Sequence, residues 1–173
     1  GKTVDLMLWS GNCRPSPEAL KICREMGIEN MNGGNTVISK RHPFLSNVSP
    51  RVMLWDGELQ IHAANQNEFV YTKNWTGPYY GGFAQVLETF AATEEPRRLK
   101  PVNIYYHFYS AVTIGSLRAL EKIHDWALSQ PLHSLQAVEY AKLARDSYGT
   151  KIYQSGASAW LLVNQGHQRT FRL

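Results

Sequence analysis

PVNIYYHFYS, residues 101–110, is the stretch whose reading decides the fold. Side chains alternate between the two faces of a strand. Read as a strand, this segment puts Val102, Ile104, Tyr106 and Phe108 on one face, and Asn103, Tyr105, His107 and Tyr109 on the other. An apolar face that packs under helices, backing a face of hydrogen-bonding groups, is how a barrel or open sheet presents a site. The same pattern also describes an aromatic-rich core strand with one satisfied histidine.

The segments on either side set the expected architecture. Residues 3–9 alternate Val4, Leu6 and Leu8 and predict a strand. Ser16 as N-cap, Pro17 in the first helical position and Gly27 just past the end predict a helix, with Ala19, Ile22, Cys23 and Met26 as its apolar stripe. Residues 28–31 read as a short strand that runs into the loop NGGN, residues 32–35. Asp56-Gly57 predicts a hairpin turn between strands at 52–55 and 58–62. Residues 63–80 form a long polar and aromatic loop, and 82–93 carry Phe83, Val86, Leu87 and Phe90 at helical spacing.

Beyond the histidine segment, Ser116 is placed as the cap of a helix that Pro131 ends, with Leu117, Leu120, Ile123, Trp126 and Ala127 on one side. Residues 132–135 read as one more short strand. A further helix through Tyr148 follows, striped by Ala137, Tyr140, Ala141 and Ala144. Strand and helix thus alternate to residue 149, which argues for an α/β fold with parallel strands. Short strands at 151–153, 159–163 and 169–173 then predict the start of a small β-rich domain over residues 150–173.

Composition narrows the partners. The chain has 173 residues, 43% hydrophobic and 18% charged, enough for one domain with a core. It begins Gly1-Lys2-Thr3 and has no long apolar run, so no membrane insertion is expected, and any targeting segment is expected to have been removed. The net charge of +4 is scattered. Its densest cluster, Arg97, Arg98 and Lys100, reads as a solvated loop, so no nucleic-acid partner is expected. Cys23 falls on a helix stripe and Cys13 in a loop, which leaves a bridge between them open. Neither a C-x-x-C nor an H-x-x-x-H pair occurs, so a self-contained zinc site has no support.

Active sites of parallel α/β proteins gather in the loops at the C-terminal ends of strands. Those loops here contain Asn12, Cys13 and Arg14, then Asn32 and Asn35, then Gln60, Asn67 and Glu68 with Trp75 and Tyr79, and finally Tyr105, His107 and Tyr109. Amide-rich loops with aromatics suit sugars, whose hydroxyls need paired donors and acceptors and whose C–H faces stack on rings. Asn and Gly are equally ordinary turn residues. Histidine is the side chain whose ordinary pKa suits acid–base work near neutrality, which singles out His107. His62, His124 and His133 read as structural, and His42 and His167 as exposed.

The segments WSGNCRPSPEAL, GIENMNGGNT, NEFVYTKNWTGPYYGGF, EEPRRLKPVNIYYHFYSA and QPLHSLQAVEYA, in that order, resemble the deacetylase domain of Pel exopolysaccharide biosynthesis proteins. The resemblance spans residues 3–173 and is most specific in NMNGG and PRRLKPVNIYYHFYSA. It implies a polysaccharide deacetylase-like fold, of which residues 1–149 would be the C-terminal half of a distorted (β/α) barrel. It further implies a carbohydrate esterase that removes N-acetyl groups from a partially acetylated aminosugar exopolysaccharide of biofilms. Such an enzyme is expected to be periplasmic or secreted, with other exopolysaccharide-synthesis proteins as partners.

Residue by residue, His107 is similar to the family's general acid, and Arg14, in the NCRPS context, to the arginine that orients a catalytic aspartate. Asn32 and Asn35 fall where relatives often carry a carboxylate that tethers this arginine, so the amides depart from the pattern. The resemblance also implies a divalent metal, expected to be zinc, whose aspartate and histidine ligands would lie on strands preceding this chain. The isolated chain is therefore expected to be inactive, and its uncovered strand edges to favour a homo-oligomer. A non-catalytic carbohydrate-binding barrel is the alternative expectation.

Overall fold

A computed structural model of the chain describes residues 1, 3–33, 36–63, 82–94, 100–164, 166–168 and 171. They divide into two compact units. The first draws on residues 1–33, 51–62 and 135–173, the second on 34–50 and 63–134. All but the first residue of the long loop expected at 63–80, and most of the terminal strand expected at 169–173, lie outside the described residues.

In the first unit, β1 (Leu6–Leu8) and β2 (Glu29–Met31) pair in parallel, Leu6 opposite Glu29 and Leu8 opposite Met31. The ladder continues where the Trp9 amide donates to the Met31 carbonyl at 3.1 Å. Parallel strands need a crossover, and α1 (Pro17–Glu25) supplies it. Its start follows the sequence: the Ser16 hydroxyl accepts from the Ala19 amide at 3.3 Å. Gly27, at φ 68°, turns the chain out of the helix.

The buried face of α1 is not the expected stripe. Leu20 and Cys23 are buried, whereas Ile22 and Met26 are 55% and 67% exposed. Arg24 lies one turn beyond Leu20 on the side that faces the hairpin. Its guanidinium holds Glu58 of the hairpin by two hydrogen bonds of 2.9 Å.

That hairpin is β3 (Val52–Trp55) and β4 (Glu58–Ile61), in the expected antiparallel register with Trp55 opposite Glu58. Asp56 and Gly57 both have positive φ, 46° and 85°, as a type I′ turn requires. β4 runs alongside β2 through one parallel bridge, Gly33 with His62.

The buried Asn30 side chain does the rest of the joining. Its Oδ1 accepts from Trp9 Nε1 at 3.2 Å and from the Ile61 amide at 3.4 Å, and its Nδ2 donates to the Leu59 carbonyl at 3.0 Å. One amide thereby ties β4 to β2 and to the residue that follows β1.

The helix α4 (Ala137–Gly149) covers these strands. It starts on a capping box in which the Gln136 amide donates to Glu139 at 2.9 Å, and its Ala141 and Ala144 are buried as the sequence stripe predicts. The Tyr140 hydroxyl donates to the His62 carbonyl at 3.0 Å, and burial pushes that phenol up to about 12. Arg145 pairs with the buried Glu29 of β2. After α4, β5 (Lys151–Gly156) and β6 (Ala159–Val163) form an antiparallel hairpin, with Ile152 opposite Leu162.

In the second unit, a 3₁₀ turn at Gly82–Gln85 leads into α2 (Val86–Ala92), which packs on α3 (Ile114–Ser129). Val86, Phe90, Ala119, Leu120 and Ile123 form the buried cluster, and Phe90 stacks on Trp126 with ring centroids 5.5 Å apart. The cap of α3 is Thr113 rather than Ser116. The Thr113 hydroxyl accepts from the Ser116 amide at 3.2 Å, which makes Ser116 the third residue of the helix. Gln130 leaves the helix in extended conformation before Pro131. Residues 132–135 form no strand.

The decisive segment also differs from expectation. Residues 101–107 carry no strand, and Phe108–Ala111 is a 3₁₀ turn. Val102 and Ile104 face the helical cluster as predicted, but Tyr105 joins them there, and Phe108 is 99% exposed. The segment is held by side-chain packing on α2 and α3. Period-two alternation survives to Ile104 and then gives way to the turn.

Two stability predictions follow from the first unit. Replacing Asn30 by Leu leaves the Trp9 indole and the Leu59 carbonyl without their partner. It should lower unfolding free energy by on the order of 3 kcal/mol, read from denaturant midpoints. For Glu29, burial pushes the carboxyl above its usual range and outweighs the opposing pull of Arg145 and Lys142. A raised folded value favours the protonated form. The contribution of Glu29 is therefore greatest below the usual carboxylate range and is lost as pH rises through the raised value. Glu29→Gln should remove that loss, so its midpoint should gain on the wild type as pH rises above the usual carboxylate range, about pH 4.

Candidate functional site

The loop between β1 and α1 carries Arg14, and two side chains from other strands fix its course. Cys13 sits at φ 51°, a conformation that costs a non-glycine residue energy unless its surroundings impose it. Gln60 imposes it from β4. Its Nε2 donates to the Cys13 carbonyl at 2.7 Å, while its Oε1 accepts from Trp55 Nε1 at 3.0 Å.

Asn32, itself at φ 81°, acts from the end of β2. Its Nδ2 donates to the Trp9 carbonyl at 2.8 Å and approaches Cys13 Sγ at 3.8 Å. The Cys13 thiol donates to the same Trp9 carbonyl at 3.4 Å. Gly33 completes the packing. A Cβ there would lie 2.6 Å from His62 Cδ2 and 2.7 Å from Gln60 Cδ, so the close approach needs glycine.

This arrangement gives two residues expected to touch a sugar another task. Gln60 is 1% exposed, and both ends of its amide are engaged within the unit. Asn32 is buried and held by Trp9 and Cys13. Arg14 is exposed, and its guanidinium has no hydrogen-bond or ion-pair partner among the described residues. Its backbone amide donates to Asn12 Oδ1 at 3.1 Å. The departure at Asn32 is thus a structural one: where relatives often carry a carboxylate that tethers the arginine, the Asn32 amide is turned to the Trp9 carbonyl instead. Cys13 and Cys23 are not joined in a disulfide, and burial raises the Cys23 thiol.

In the second unit, Tyr105 and His107 come together. The Tyr105 hydroxyl lies 3.1 Å from His107 Nε2, and the two rings meet edge to face with centroids 5.2 Å apart. Tyr105 packs on the Val86–Phe90–Ile123 cluster and His107 is half-buried, so the histidine stands at the margin of the core. Tyr109 lies in the 3₁₀ turn that follows. Asn35, Asn67, Glu68, Trp75 and Tyr79 lie outside the described residues.

Of the remaining histidines, His124 is bonded through Nδ1 to the Leu120 carbonyl at 2.9 Å and meets the Tyr106 ring edge to face. His62 is built into the β2–β4 bridge. Sequence reasoning missed the clamping role of Asn30 and Gln60. Their place in short strands beside apolar neighbours was the available signal.

Among the described residues, no three His, Cys, Asp or Glu side chains are arranged to hold a metal ion. The described residues therefore do not themselves fit the divalent metal that the family resemblance implies, whose ligands it assigns to strands preceding this chain. No helix of the described residues is long and apolar enough to cross a membrane.

The Gln60 clamp is open to test through its neighbour's thiol. Gln60→Leu should cost roughly 1–3 kcal/mol by stranding the Trp55 indole and the Cys13 carbonyl. It should also speed labelling of Cys13 by a thiol reagent, with buried Cys23 as the slow internal control.

Comparison with known proteins gives no relative from which to transfer a role: no family model, no curated protein and no solved structure matches this chain.

Proposed function

We propose that this chain is part of a polysaccharide N-deacetylase, the C-terminal portion of a distorted (β/α) barrel with a β-rich segment from residue 150. Its substrate is a partially acetylated aminosugar exopolysaccharide, and its setting the periplasm or the cell exterior. The observation that carries the reading is the Tyr105–His107 pair, a half-buried histidine held by a phenol at 3.1 Å beside the packed cluster of α2 and α3.

Deacetylation breaks the bond between the acetyl carbon and the sugar nitrogen. Water supplies the oxygen that leaves as acetate, and the nitrogen must gain a proton to depart as an amine. His107 supplies that proton as general acid and recovers one from solvent. Arg14 supports the reading from the first unit. It is an exposed guanidinium with no partner among the described residues, carried on a loop whose shape Gln60 and Asn32 fix. A guanidinium so placed suits the fork geometry of a carboxylate, the role that the family resemblance gives it. The divalent metal of such enzymes, zinc in this proposal, would be held by residues belonging to another part of the protein.

The test is acetate release from an N-acetylated aminosugar oligomer with added zinc, comparing this chain with the longer protein that contains it. Activity is expected in the longer protein alone, reduced about 10²–10⁴-fold by His107→Ala. Full activity after that substitution overturns the proposal. Oligomer binding without any acetate release would favour a non-catalytic carbohydrate-binding barrel.

A further inference from the structure

We propose that the loop of residues 39–46 is a membrane-surface anchor: Phe44 and Leu45 enter the interface of an anionic bilayer, and Lys40 and Arg41 meet its headgroups. The contact is peripheral and needs no spanning helix. It begins with two adjacent apolar side chains at one loop tip, Phe44 63% exposed and Leu45 77% exposed. Apolar residues scattered singly over a surface need no explanation. Here a neighbouring pair stands out from a loop whose own stem buries its apolar residues, Val37 and Ile38.

The backbone fixes the tip in place. Ser39 and His42 exchange both amide-to-carbonyl bonds, at 3.2 and 3.0 Å, closing a turn with Lys40 and Arg41 at its centre. A 3₁₀ turn follows at Leu45–Asn47, where the Asn47 amide donates to the Phe44 carbonyl at 2.9 Å. Asn47 joins the two turns and the stem. Its Nδ2 donates to the His42 carbonyl at 3.3 Å, and its own carbonyl accepts from the Val37 amide at 3.0 Å. Below, Thr36 Oγ1 accepts from the Ser49 amide at 3.0 Å, and Thr89 Oγ1 of α2 donates to the Ile38 carbonyl at 3.1 Å. A tip held this firmly loses little conformational freedom when it is covered.

Charge selects the occupant. Residues 34–50 include Lys40 and Arg41 and no acidic residue, and both basic residues are exposed. Glu88 of α2 brings a carboxylate to the turn, its Oε2 accepting from the Lys40 amide at 3.1 Å, and the two basic residues outnumber it. An apolar protein surface would use the Phe44–Leu45 pair and leave the cations unanswered. A soluble anion would do the reverse. An anionic bilayer answers both, taking the apolar side chains into its acyl boundary while the Lys and Arg heads reach lipid phosphates. Two apolar and two basic side chains make a weak, reversible attachment.

The experiment is co-sedimentation of the full chain with vesicles of phosphatidylcholine alone and of phosphatidylcholine mixed with phosphatidylglycerol. Binding is expected to the mixed vesicles, weakening as salt rises. Phe44→Ser and Leu45→Ser should each weaken it about tenfold, and Lys40→Gln about fivefold. These side chains are exposed, so the variants should keep the circular dichroism of the wild type. No binding to the mixed vesicles overturns the inference. Binding that survives the combined Phe44→Ser and Leu45→Ser change overturns it too, because charge elsewhere on the chain would then be the cause. Equal binding to phosphatidylcholine alone removes any role for Lys40 and Arg41 and is equally fatal. Acetate release plays no part in this readout, so either proposal can fail while the other stands.

Discussion

The first unit depends on one buried amide. Short strands supply few ladder bonds, and among the described residues β2 and β4 are joined by a single bridge, Gly33 with His62. Such a junction would be weak if backbone pairing were its sole tie. Asn30 adds a donor and an acceptor at the seam and so engages Trp9, Leu59 and Ile61 at once. The requirement is strict. Aspartate would lose the donation to Leu59, and an apolar side chain would leave the partly buried Trp9 indole and Leu59 carbonyl and the buried Ile61 amide without their partner. Glu29 and Arg145 then dock α4 over the same strand, so β2 carries two successive polar residues, each buried for its neighbours' sake.

The functional residues inherit this order. Amides that suggest ligand binding are spent on architecture in the first unit: Asn30 on the strand seam, Gln60 and Asn32 on the shape of the Cys13 loop. What they leave facing outward is Arg14. In the second unit an aromatic side chain anchored in the core does the same for His107. In both, a group with chemistry is presented by a partner that is itself immobilised by packing.

Local chemistry was legible in the sequence wherever it sufficed to fix the structure. The Ser16 cap, the Asp56-Gly57 turn and the Ala141–Ala144 stripe each depend on residues within one turn or one helix, and each is found as expected. What depends on distant partners was not legible. Residues 101–107 alternate as a strand does, but alternation describes side chains. A strand also needs a backbone neighbour, and the described residues give this segment packing contacts with α2 and α3 instead. Thr113 and Ser116 are equally good caps by type, and only the position of the first helical turn separates them. A buried glutamine and a ligand-binding glutamine read alike until Cys13 and Trp55 are seen on its two ends.

The hairpin turn has a consequence for how the molecule ages. In Asp-Gly sequences the glycine amide nitrogen can close on the preceding side-chain carboxyl carbon, and the ring reopens to isoaspartate with an extra methylene in the backbone. Asn32-Gly33 has the analogous chemistry, but its amide is buried and held against Trp9. Asp56-Gly57 is exposed at the tip of a two-residue turn. A backbone lengthened there cannot keep Trp55 opposite Glu58. The resulting slip would run down β4 toward Leu59 and Ile61, where Asn30 holds the sheet. The site where chemical damage to this chain would first be felt is therefore one strand away from its structural keystone.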